Sequence, residues 1–320
     1  TLYIPFDGLN DLIIGEFGTL EQRSQALLAR LQAVPRILKQ GKQNLLAPPR
    51  LFTETAIGTA ERLLPFFEKN ILEYAAQNPT LEKKIKTAAK SAGTALLDYI
   101  QFLKSDLLSR SDGSIAIGKE NYDFYLREMH MLDDDADSLL KKGEQYFRET
   151  ELLLKLAADK IDPGKTWQDI TEDLRKHHPT SEALLETYCS EIQRTRRHII
   201  EHDLVTLPAN EEVRCLYTPA SQRAFSPFGV FRQPPPFSAN KVGYLILHPI
   251  DTSLSKEEQE KMLQAHDYTW VSVISSHESY PGHHLQALKA QQNPRAFRKF
   301  YNSPVFSEGW GLYCEELMYE

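Results

Sequence analysis

The sequence predicts a mainly α protein with a small β-sheet around residues 212–248, and three observations lead there. Apolar residues recur at helical spacing through most of the first 207 positions. Past Pro208, runs rich in β-branched and aromatic residues stand between prolines. From Lys256 the helical period returns and persists to Glu320. The chain accordingly reads as a helical region, 1–207, and a region 208–320 with the sheet and the last helices, together one continuous domain.

In residues 19–33, Leu20, Leu27, Leu28 and Leu31 lie at helical spacing, and Thr19 with Gln22 forms a capping box. Pro35 and then Pro48-Pro49 punctuate. A second helical stretch, 53–77, carries Ile57, Leu63, Leu64, Phe67 and Ile71 and is interrupted at Pro65. A third runs from Leu81 to about Ser109 and stops at Ser111-Asp112-Gly113; its Lys83, Lys84, Lys86 and Lys90 read as a solvated face. Helices follow at 122–131 and 136–158. Asp133-Asp134-Asp135 lacks the spacing and glycine of a calcium loop and suits the N-terminus of the second of these. Two more helices are expected at 167–177 and 181–203.

Val213–Tyr217 and Val242–Leu247 read as strands, with a third short one at 228–231; Pro219, Pro234-Pro235-Pro236 and Pro249 bound them. Trp270, Val271, Val273 and Ile274 give the next helix an apolar side that leads into His277. A short helix is expected at 297–301, and a last one after Pro304 that is still in progress at Glu320, so the chain reads as a fragment of a longer polypeptide.

Composition narrows the function classes. With 41% hydrophobic and 25% charged residues the chain has a soluble globular composition. A net charge of −7 argues against a nucleic-acid binder. No run approaches the length of a membrane span. Cys189, Cys215 and Cys314 are odd in number and lack CxxC spacing, which makes a disulfide framework and a cysteine metal site poor readings. The chain starts at Thr1 without a signal peptide, so a cytoplasmic location and export with the signal removed both stay open.

The chemistry concentrates in His277-Glu278-Ser279-Tyr280-Pro281-Gly282-His283-His284 and in Phe306-Ser307-Glu308-Gly309-Trp310. Imidazole and carboxylate are the ligands of catalytic zinc, which uses three protein ligands and leaves one position open. The usual signature is H-E-x-x-H on one helix, with the glutamate as general base. Here Pro281 stands where the second histidine belongs. On an unbroken helix His283 or His284 would lie roughly 9–10.5 Å along, too far to share one ion with His277 at about 2.0–2.1 Å. Pro281, lacking an N–H, and Gly282, free in its backbone angles, allow a bulge or kink that returns a later histidine to His277. His283 is the favoured second ligand, because it keeps a Gly-His pair, and His284 is its competitor. His177-His178 and the pair His198/His202 are weaker metal candidates, because Glu201 is misplaced relative to the H-E-x-x-H order.

The run H-E-x-x-P-G-H-H-L-Q followed by F-x-E-G-W-G-L-Y resembles the bacterial "domain of unknown function 885" family, itself similar to the helical glutamate-zincin peptidases. The resemblance implies a multi-helix zincin-like architecture, a Zn²⁺ cofactor, and a glutamate third ligand about two dozen residues past the second histidine. Glu308 matches, 25 residues after His283. It also implies chain beyond residue 320, a remaining C-terminal fragment as partner, and a sheet edge at 242–248 that holds extended substrate by strand addition. A sheet that merely packs beneath the site helix is the competing reading.

The expected reaction is hydrolysis of a peptide or small amide by metal-activated water. His277, His283 and Glu308 are the ligands, and Glu278 takes a proton and passes it to the leaving amine. His284, if not a ligand, and Tyr313 are candidates to hydrogen-bond the oxyanion. Glu315, seven residues past Glu308, is placed to orient a ligand histidine. Three alternatives compete: a metal-free buried polar network, a noncatalytic binding protein with a degenerate zinc site, and an amidase or esterase on small molecules.

Overall fold

Thr19 opens a helix as its side chain predicts: it accepts from the Gln22 N–H, and the Gln22 side chain accepts from the Thr19 N–H. The computed structural model describes residues 3–15, 17–218 and 229–319. They form two compact units that divide between Ile117 and Gly118. The change of character at residue 208 lies inside the second.

The first unit contains α1 (Tyr3–Ile14), α2 (Leu20–Asn44), α3 (Arg50–Pro65), α4 (Ile71–Ala75) and α5 (Glu82–Ser105). Pro35 does not stop α2, contrary to expectation. Leu31, Val34 and Leu38 on either side of it are fully buried, and that burial outweighs the one backbone bond proline removes. Pro65 does interrupt, and a π turn at Phe66–Asn70 follows it and turns Phe66 and Phe67 into the core. Along α5 the four lysines are exposed while Ile85, Leu96, Tyr99 and Leu103 are buried, the one-sided pattern of an amphipathic helix. Thr19→Ala removes half of the α2 cap and is expected to lower stability by about 1 kcal/mol, read as a fall in the denaturant midpoint at constant slope.

The second unit begins with α6 (Lys119–Phe124), a π turn at Tyr125–Met129 and α7 (Ala136–Ile161). The aspartate run caps α7: Asp135 accepts from the Ser138 N–H, and Asp134 pairs with Lys142 at 2.8 Å. α8 (Trp167–Arg175) and α9 (Leu184–Glu201) follow. Then come β1 (Glu212–Tyr217), β2 (Val230–Arg232) and β3 (Val242–Leu247). Phe228 and Pro219 lie outside the described residues. The last elements are α10 (Lys256–Gln264), α11 (Tyr268–Glu278), α12 (His283–Gln291), α13 (Ala296–Phe300) and α14 (Pro304–Tyr319). Among the described residues no helix is long and apolar enough to cross a membrane.

The sheet corrects one expectation. Its order is β1-β3-β2, with β3 parallel to β1 and antiparallel to β2. β3 is therefore the central strand, paired on both sides over Tyr244–Ile246, and not the edge strand expected to take an extended substrate. Sheet order depends on long-range pairing that local pattern does not encode. Val213, Leu245 and Leu247 instead join Leu184, Tyr188, Ile192 and Ile199 of α9, with Val271 and Tyr280, in one buried cluster. The sheet thus packs beneath the segment that carries the histidines.

The anchoring of α11 also differs in detail from its apolar pattern. Val271, Ser275 and Ser276 are buried, whereas Trp270 is exposed. Asp267 caps the helix by accepting from the Trp270 N–H at 3.0 Å.

Candidate metal centre

The two inserted residues are absorbed by a complete break. α11 ends at Glu278, Ser279 leaves helical angles, the Tyr280-Pro281 peptide is cis, and α12 starts at His283. The Gly282 N–H still donates to the Ser276 carbonyl at 3.0 Å, so the chain folds back on the end of α11. A Cβ on Gly282 would sit 1.7 Å from the His277 carbonyl oxygen and 2.5 Å from that of Ser276, so only glycine fits. Trp310 of α14 reaches across, its indole N–H donating to the carbonyls of Pro281 (3.0 Å) and Gly282 (3.2 Å). The rings of His277 and His283 come to 4.7 Å between centroids, with planes at 90°.

Glu308 closes the set from α14. Its Oε2 lies 3.4 Å from His277 Nε2 and 3.6 Å from His283 Nε2. One ligand atom from each of the three residues lies within 4.8 Å of the others, and among the described residues no other group of three or more such side chains does this. His198 and His202 stack at 4.3 Å between centroids but belong to no such group, and His178 is paired with Glu260.

Glu315, about two turns further along α14, supports His277. Its Oε1 lies 2.6 Å from His277 Nδ1, and that contact orients the ring so that Nε2 faces Glu308. Two imidazole nitrogens and a carboxylate oxygen thus face one another, the donor set that a divalent cation takes. Tetrahedral ligands at about 2.1 Å from zinc stand about 3.4 Å apart, close to the two separations of 3.4 and 3.6 Å that Glu308 makes. The residues present fit the ion.

Gly311 makes the close approach of α14 possible. A Cβ there would meet three atoms of the His277 ring at 2.5–2.8 Å, whereas one on Gly309 would meet nothing within 4 Å. The Glu308 side chain is 60% exposed and those of His277 and His283 are 13% and 10% exposed, so the carboxylate covers two largely buried rings from the solvent side.

Glu278 is half-buried beside the set and is not one of its ligands. Burial raises its pKa above the usual carboxylate range, the Glu308 charge adds to the rise, and His277 opposes it. The His283 pKa is lowered, by burial first and then by His277.

His284 goes elsewhere. It is fully buried, and its Nε2 lies 3.1 Å from Glu211 Oε2, away from the triad, so it is neither the second ligand nor a group facing a substrate. Consecutive residues at the start of a helix point about 100° apart, so only one of the pair can face His277. Tyr313 is exposed and packs on Trp310; it lies about 140° around α14 from Glu308 and does not face the centre.

Sequence reasoning missed Glu211, Arg196 and the spacing role of Gly311. Gly311 had a signal, because it lies three residues past Glu308 and so on the ligand face. Glu211 had none, being an acidic residue just before a strand.

The family model described as "Bacterial protein of unknown function (DUF885)" matches residues 2–320, and the chain belongs to that family. No curated protein matches. Among solved structures, the chain is similar to a candidate lipoprotein of unknown function from Shewanella oneidensis, with a TM-score of 0.73 and 19% identity over 99% of this chain and 59% of that one. It is also similar to a candidate lipoprotein from Colwellia psychrerythraea, with a TM-score of 0.72 and 17% identity over 99% of this chain and 58% of the other. The chain therefore spans just under three fifths of the length of these structures.

Proposed function

We propose that this member of the DUF885 family carries the centre of a zinc-dependent hydrolase with helical zincin-like architecture, acting on peptides or small amides. The observation that carries the reading is the meeting of His277, His283 and Glu308, whose ligand atoms lie within 4.8 Å of one another and come from three helices. Zinc held by such a set polarises a carbonyl and lowers the pKa of a water. The remaining roles belong to the chain. Glu315 orients the His277 ring so that Nε2 faces Glu308. Glu278, its pKa raised by burial, accepts a proton at the carboxylate and returns it to the leaving amine. The lipoprotein description of the two structural neighbours favours an exported location.

The test is metal content followed by turnover. Purified full-length protein is expected to hold one zinc per chain and to cleave members of a peptide library. Glu308→Ala, which removes the exposed third ligand, is expected to weaken zinc binding about 100-fold or more in a chelator competition. A parent protein that holds no divalent ion, or a Glu308→Ala variant that binds zinc as the parent does, sinks the metal centre. One zinc per chain without cleavage of peptides, esters or N-acyl amino acids would instead favour a noncatalytic binding protein.

A further inference from the structure

One buried carboxylate meets both ends of the chain break. Glu211, just before β1, has a fully buried side chain. Its Oε1 accepts from Arg196 of α9 at 2.8 Å through both Nε and a terminal nitrogen. Its Oε2 accepts from the Tyr280 hydroxyl and from His284 Nε2 at 3.1 Å. Tyr280 and His284 are also fully buried, and their rings meet edge to face at 5.2 Å. Phe231 of β2 packs on the other side of His284 at 6.0 Å, and Gly243 of β3 leaves room for the ring, since a Cβ there would lie 2.7 Å from Nδ1. The Arg196 guanidinium lies over the Tyr280 ring at 5.8 Å.

Tyr280 and His284 bracket Pro281, Gly282 and His283. Tying both brackets to one oxygen sets how far apart the two ends of the detour stand, and so where His283 emerges relative to His277. A buried charge that lost these partners would remain unpaired at considerable cost, which makes the arrangement rigid.

We propose that Glu211, acting through Tyr280 and His284, is a positioning residue: it clamps the Pro281-Gly282 break and thereby sets the His277–His283 spacing of the metal centre. The metal side of this rests on the zinc reading above; the clamp itself does not.

The experiment compares the parent, Tyr280→Phe and Glu211→Gln as full-length proteins by three measurements. These are zinc affinity in a chelator competition, visible absorption of the Co²⁺-loaded forms, and amide hydrogen exchange of the metal-free forms. Direct partners of metal ligands typically contribute 10–100-fold in affinity, and because this clamp reaches His283 only through the backbone, both variants are expected to bind zinc about 10-fold more weakly. Their Co²⁺ bands are expected to shift, and exchange to quicken at residues 279–284 while α9 and α14 stay protected. A merely structural network would loosen α9 and the sheet together and leave the Co²⁺ spectrum of the folded fraction unchanged, and that result overturns the proposal. Unchanged zinc affinity overturns it as well. If the parent binds neither metal, the zinc reading falls and exchange alone judges the clamp: quickening confined to 279–284 upholds it, and unchanged exchange ends it. Should Glu211→Gln fail to fold, Tyr280→Phe, which removes a single oxygen, carries the comparison.

Discussion

On the zinc-hydrolase reading proposed above, Glu278→Gln is expected to lose most of the hydrolysis while zinc stays bound. Glutamine keeps the shape of the side chain and cannot take up a proton. Glu278 is outside the ligand set formed by His277, His283 and Glu308, so metal stoichiometry has no reason to fall. General acid–base catalysis typically contributes 10²–10⁴-fold, and a loss in kcat of about that size is expected with little change in KM. The loss should appear in kcat because the proton transfer belongs to the chemical step rather than to binding. A Glu278→Gln protein as active as its parent would remove Glu278 from the reaction. One that has also lost zinc would show that the carboxylate supports the centre rather than the chemistry.

The second large effect separates two glycines two residues apart on one helix. Gly311→Ala places a methyl 2.5–2.8 Å from the His277 ring, which Glu315 already holds at Nδ1. Ring or helix must shift, at an overpacking cost of about 1–3 kcal/mol, and zinc affinity is expected to drop about 100-fold. Gly309→Ala has open space and adds a better helix former, so it is expected to bind zinc as the parent does and to gain about 0.5–1 kcal/mol in stability. Chelator competition and thermal melts on the pair settle the matter. Equal zinc affinity in the two variants would mean that α14 does not pack on His277 as described.

What could be read from the residues was mostly local. The caps at Thr19 and Asp135 follow from side chains that bond their own backbone three residues on, so they form where the sequence puts them. The cluster of His277, His283 and Glu308 was legible because two of its members fall in one eight-residue run and Glu308 follows in a second short motif. The need for a detour at Pro281-Gly282 followed from helix geometry alone. Its form did not, because a full break with a restarted helix depends on Trp310 and Glu211, which arrive from other elements. Pro35 misled for the same reason: burial against partners elsewhere in the chain overrode a local preference. The order of the sheet was out of reach, since β2 has only three residues and its partner is chosen by tertiary packing. His284 was ambiguous because its role is set by Glu211, 73 residues earlier.

The parallel pairing of β1 with β3 has a consequence for how such a gene can change. Val213 stands opposite Gly243, so one strand register places both Glu211 and the glycine that makes room for His284. Side chains alternate along a strand, and a slip of β1 by one residue would turn Glu211 away from Tyr280 and His284 while Gly243 stayed in place. Adding or losing a single codon between Glu211 and Tyr217 therefore reaches the ligand set, although no residue of either strand belongs to it. Length in that stretch is inherited information, as binding as the identity of a ligand.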